Sequence, residues 1–201
     1  KYIKRNVDGT YDITLNASGT VGSKTNPAKV DIVLIVDTSG SMDDDKKLDT
    51  TKDAIKSLVD VFNAKGDSVD VKYKLVTFAK YASIVTNQWV DGNTLYSKVQ
   101  SIKAGGGTNY DQGFQKGKDA LDTATRTGAK KVVIFLTDGQ PTYYGTNASN
   151  CGAHTSSTTL TAALNSASQI ICSDFYAVGI GLPSEIEVYK SDATSSWMGC
   201  M

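Results

Sequence analysis

From Val30 onward, five stretches read as continuous apolar runs: Val30–Val36, Val71–Phe78, Ser83–Val90, Lys131–Leu136 and Asp174–Ile180. Runs of this length without a polar face predict strands buried on both sides. Between them the period lengthens. Leu48, Ile55, Leu58, Val59 and Phe62 fall at helical spacing within Lys46 to Ala64, with Gly66 as a stop. Leu160, Ala163, Leu164, Ala167 and Ile170 repeat that spacing before the last run. Buried strands alternating with helices predict an α/β fold, a doubly wound and mostly parallel sheet covered on both faces. The short link from Ala79 to Ala82 leaves room for one antiparallel pair.

The first 26 residues follow another pattern. Tyr2–Val7 and Thr10–Leu15 partly alternate apolar and polar positions around Asp8-Gly9, a favoured hairpin turn. A polar link through Asn26-Pro27 follows. This divides the chain into a β-hairpin extension over 1–26 and an α/β domain over 27–201.

Composition narrows the partners. Lys plus Arg number 21 and Asp plus Glu number 21, for a formal net charge of +0. That balance gives no electrostatic case for nucleic acid or an anionic membrane surface. The longest purely aliphatic runs, Ile32–Val36 and Val132–Leu136, are far shorter than the roughly 20 residues a spanning helix needs, so membrane insertion is not expected. Cys151, Cys172 and Cys200 form no Cys-x-x-Cys, and the one histidine, His154, stands in a polar loop without a relay partner. Neither a thiolate metal site nor a histidine-based triad is signalled.

In a doubly wound sheet, ligands bind beyond the carboxyl ends of the strands. The oxygen-bearing residues cluster there. Asp37-Thr38-Ser39-Gly40-Ser41 follows the first long strand, and alternation along an extended segment turns Asp37, Ser39 and Ser41 the same way. Thr137-Asp138-Gly139 follows a later strand, and Gly105-Gly106-Gly107-Thr108 is a flexible loop able to bring a hydroxyl close. Two carboxylates and three hydroxyls suit a hard divalent cation. Five protein groups leave the cation a last position, which can take an outside oxygen, above all a carboxylate.

These motifs together resemble the von Willebrand factor A-type domain and its metal-ion-dependent adhesion site, over about Lys29 to Leu182. The resemblance implies a Rossmann-like fold and a cation, magnesium or else manganese or calcium, on Asp37, Ser39, Ser41, Thr108 and Asp138. Asp44 and Asp45 match the second-metal acids of the integrin β-chain version, although acids at a helix start equally favour its dipole. Tyr143 and Tyr144, in the long loop from Gly139 to Ser156, are either recognition residues or packed beneath that loop. The segment Asn6–Leu15, leading into Val30–Met42, further resembles cell-wall-anchored and pilus-tip adhesins of Gram-positive bacteria. In that group the A-type domain is inserted in a β-rich stalk domain. The implied function is a secreted adhesion head at the cell wall or pilus tip, binding a host matrix or cell-surface protein in virulence. An intracellular module that assembles protein complexes is the alternative. On the adhesin reading the native protein continues beyond Met201, back into the domain that Tyr2–Leu15 begins.

No enzyme motif competes. Ser39 stands where an aspartic protease has Gly and where an Asp-x-Asp-x-Thr phosphatase has its second Asp, and no Gly-x-Ser-x-Gly elbow surrounds Ser39 or Ser41. The Gly105–Thr108 loop lacks the lysine of a phosphate-binding loop. Topology also suggests a disulfide. Cys151 and Cys200 both follow strands that end at the metal edge, whereas Cys172 precedes the last strand and lies about 20 Å below. Cys151–Cys200 is the expected pair, with three free thiols as the alternative.

Overall fold

The computed structural model describes residues 2–5, 11–14, 26–150 and 154–182. Tyr2–Arg5 (β1) pairs antiparallel with Tyr11–Thr14 (β2) as a separate two-stranded sheet. The expected Asp8-Gly9 turn, and both cysteines of the expected disulfide, lie outside the described residues. The main sheet comprises Ala28–Asp37 (β3), Val69–Phe78 (β4), Ala82–Ile84 (β5), Lys130–Thr137 (β6) and Asp174–Gly179 (β9). Its order is β5-β4-β3-β6-β9, parallel throughout except for β5 against β4. This is the mostly parallel α/β sheet expected from the apolar runs, with β3 at its centre.

Alternation along β3 divides the interior in two. Ile32, Leu34 and Val36 face one core with Leu48, Ile55 and Val59 of Lys47–Asn63 (α1) and Leu95 and Val99 of Gly92–Gln100 (α2). Val33 and Ile35 face the other, with Phe114 and Leu121 of Tyr110–Asp122 (α3) and Ala163 of Ser157–Ser168 (α4). Each set follows the strand period of two, which is why these runs carry no polar face.

Three expectations need correction. Ser83–Val90 is not one strand: regular pairing stops at Ile84, because the Leu75 amide takes the Thr86 hydroxyl at 2.9 Å instead of a carbonyl. The chain rejoins the sheet only at a single Tyr73–Val90 bridge. The apolar face of α4 is also partly displaced. Ala163 is buried and Ala167 and Ile170 pack on the second core as expected, but Leu164 is 69% exposed and Thr159 and Ser166 are buried in its place, because the Ser166 hydroxyl donates to Asp111 of α3. Finally, the acids after Met42 do not open a regular helix. Asp43 lies in a 3-10 turn, Asp44 is extended and Asp45 is left-handed at φ 50°.

Candidate metal centre

The order of the strands reverses around β3, so the crevice between β3 and β6 opens at their carboxyl ends. Asp37 is the last residue of β3 and is fully buried. Its Oδ1 accepts the Ser39 amide at 2.7 Å, which folds the chain back over the strand end. Its Oδ2 accepts the Thr137 hydroxyl at 2.6 Å from the end of β6. The two strand ends are thus joined through the carboxylate.

Ser39, Ser41 and Asp138 continue the set. The Ser41 hydroxyl donates to Asp138 Oδ1 at 2.9 Å, and the Ser39 hydroxyl lies 3.2 Å from that of Ser41. Ser41 has spent its one proton on Asp138, so Ser39 is the donor of that second contact. Ser39 and Asp138 are buried while Ser41 is exposed, which gives the cluster a mouth at the surface.

The loop that carries Thr108 is held against the Asp37–Ser41 turn by backbone bonds, with no side-chain bond among the described residues joining Thr108 to the other four. The Gly105 amide donates to Thr38 O at 2.8 Å and the Gly40 amide to Gly106 O at 2.9 Å, tying this loop to the Asp37–Ser41 turn. The Thr108 carbonyl accepts the Thr142 and Tyr143 amides at 2.8 and 2.9 Å. A Cβ on Gly107 would stand 2.0 Å from Tyr143 Cε2, so the glycine is required by the ring that covers it. Tyr143 therefore packs on the loop bearing Thr108. Both Tyr143 and Tyr144 are half-buried, in a short strand Tyr143–Tyr144 (β7) that pairs antiparallel with Ser149–Asn150 (β8).

Burial has an electrostatic consequence. Desolvation raises the Asp37 carboxyl from its ordinary value to about 6, against the lowering effect of the Thr137 and Ser39 hydrogen bonds and with a further push from the Asp138 charge. Two carboxylates close enough to repel, inside an all-oxygen set, are chemically matched to a hard divalent cation. Among the described residues no group of three His, Cys, Asp or Glu could hold a metal. Hydroxyls therefore have to complete any site here.

Three supporting residues went unread in the sequence. Thr137 bonds Asp37, and the Tyr110 hydroxyl reaches Thr137 Oγ1 at 2.9 Å and the Gly139 carbonyl. Tyr110 is itself fixed edge-on against Phe135 and Phe78, with centroids at 4.9 and 5.7 Å. Lys47 pairs with Asp138 Oδ2 at 3.0 Å. Only Thr137, adjacent to Asp138, had a local signal.

The family model of the von Willebrand factor type A domain matches residues 31–189. A human relative, inter-alpha-trypsin inhibitor heavy chain H4, is 28% identical over 126 residues, covering 58% of this chain and 13% of that protein. Among solved structures, the pilus adhesin SpaC from Lactobacillus rhamnosus GG superposes with a TM-score of 0.52 at 26% identity, covering 59% of this chain and 16% of that one. The vWF domain of the type V pili tip protein Mfa5 from Porphyromonas gingivalis gives 0.52 at 22% identity, covering 59% of this chain and 40% of that one. The chain thus spans less than half the length of each of these proteins. Family match, strand order and flanking helices agree: the chain belongs to the von Willebrand factor type A domain family.

Proposed function

We propose that this chain is the metal-dependent binding head of a bacterial surface protein, at the cell wall or pilus tip, and that it engages an acidic group of a host matrix or cell-surface protein. The observation that carries this reading is the buried Asp37 carboxylate, joined to Ser39 and Thr137 and repelled by Asp138, at the strand-order reversal. Asp37, Ser39, Ser41, Thr108 and Asp138 are the residues that would hold magnesium, with manganese or calcium as substitutes. A bound divalent cation supplies a Lewis-acidic position for a carboxylate oxygen of the partner. The protein's own part is orientation. Thr137 fixes Asp37, the aromatic layer under Tyr110 fixes Thr137, and exposed Ser41 leaves the cluster open to a ligand.

The pilus adhesin and pilus-tip proteins among the structural relatives favour a surface location and a role in adhesion. We assign β1 and β2 to a neighbouring stalk domain interrupted by the A-type domain. No helix among the described residues is long and apolar enough to cross a membrane. The reading is of a binding domain, with no step of bond-making chemistry assigned to any residue. Attachment to a panel of immobilised matrix proteins, measured in magnesium and in EDTA, tests it. Binding to at least one member should require magnesium and return when magnesium is restored. Binding that is equal in EDTA would overturn metal dependence.

A further inference from the structure

Lys47, the first residue of α1, has its ammonium 3.0 Å from Asp138 Oδ2, while Asp138 Oδ1 takes the Ser41 hydroxyl. The Asp138 side chain is 0% exposed and that of Lys47 is 18% exposed, so water screens the pair only from one side. The lysine is positioned from both ends. Asp45 and Lys46, directly before it, hold left-handed backbone at φ 50° and 57°, an uncommon and costly conformation for residues with a Cβ. Its aliphatic stem lies along Gly181, where a Cβ would stand 3.2 Å from Lys47 Cε and 3.5 Å from Cγ. A flexible surface lysine would not be held this way.

We propose that Lys47 is a tethered cation that competes with the divalent ion for Asp138 and so sets the cation concentration at which the site loads. The inference rests on the metal-site reading above. In the metal-free chain the ammonium neutralises Asp138 and stabilises the buried cluster. A divalent ion then meets one carboxylate with no paired cation, Asp37, and one already paired with Lys47. Affinity is lower than the five oxygen groups alone would give, and the site responds to changes in cation level rather than staying saturated.

Calorimetric titration with magnesium and with manganese, on wild type and Lys47→Met, tests this. Lys47→Met should bind magnesium about fivefold tighter, the upper end of what an ion pair open to water on one side is worth. Lys46→Met removes the same charge one residue earlier, from an exposed side chain, and should change affinity less than about twofold. In EDTA, Lys47→Met should melt below wild type, and the gap should close in saturating magnesium. Lys47→Gln keeps a donor without the charge, and should also bind magnesium tighter if the methionine variant fails to fold. Wild-type binding with unchanged or weaker affinity in the Lys47 variants would overturn the role of Lys47 alone. Absence of binding in every chain would overturn the metal site, and this inference with it.

Discussion

Asp37→Asn is expected to lose magnesium binding altogether and, in EDTA, to melt at a higher temperature than wild type. The two effects have one cause. A carboxyl whose pKa stands at about 6 instead of 3.8 is penalised when ionised in the folded chain. At pH 7 that penalty is about 3 kcal/mol as an upper figure. Asparagine removes the charge and keeps the contacts: its carbonyl accepts the Ser39 amide and its amide donates to Thr137 Oγ1. Thr137 is then free to donate toward the Tyr110 hydroxyl, so no buried polar group is stranded. The pH dependence has a definite sign. A raised carboxyl pKa means that the folded chain holds its proton to higher pH than the unfolded one. Stability from this group is therefore full below about pH 4 and lost as pH rises through about 6. Metal-free wild type should accordingly gain about 1 kcal/mol from Asp37 between pH 7 and pH 5, and Asp37→Asn should lack that increment. Thermal melts in EDTA at both pH values, with magnesium calorimetry, read all of this. An asparagine variant less stable than wild type in EDTA would mean that the carboxylate is held by favourable contacts rather than by the fold.

Arg126→Ala is expected to produce the largest loss of stability. Asp31, near the start of β3, is 1% exposed, and its Oδ1 accepts Arg126 Nε at 2.8 Å. The same guanidinium reaches Asp70 Oδ2 at 2.6 Å and the carbonyls of Val30 and Asp70 at 2.7 and 3.1 Å. It thus ties the amino ends of β3 and β4, the two strands that share the longest register. Asp31 Oδ2 has no hydrogen-bond partner in the structure, so removing the arginine leaves a buried carboxylate with neither charge nor hydrogen bond to compensate it. Breaking such a pair costs about 3 kcal/mol or more, on the order of 10 °C in melting temperature for a domain of this size. Magnesium affinity should survive in the folded fraction. Asp31 lies six residues from Asp37 along an extended strand, roughly 20 Å from the cluster. Urea denaturation and calorimetry separate the two effects. A loss below about 1 kcal/mol would show that water replaces the arginine.

What was legible in the sequence is what short-range periodicity encodes. Two strand ends followed by Asp37-x-Ser39-x-Ser41 and Thr137-Asp138 lie beside one another because β3 and β6 are parallel neighbours. The helix α3 escaped notice because Gly113 and Gly117 weaken its apparent propensity. In the structure they are what seats it: a Cβ would stand 3.0 Å from the Phe78 ring at the first and 2.2 Å from Ile35 Cδ1 at the second. Close approach of helix to sheet needs bare backbone there. Leu164 misled for the converse reason. Its spacing matched an apolar stripe, but the polar Ser166–Asp111 contact orients α4. The pairs Lys47–Asp138, Thr137–Asp37 and Tyr110–Thr137 join residues far apart in the chain, and no local pattern predicts them.

If the proposed site is right, a divalent cation sits among these five residues. Anomalous diffraction from crystals soaked in manganese tests it most directly. One strong peak is expected within coordinating reach of Asp37, Ser39, Ser41, Thr108 and Asp138, some of them through water. A peak only at Asp43–Asp45, or no peak in crystals that diffract with intact β3 and β6 ends, would contradict it.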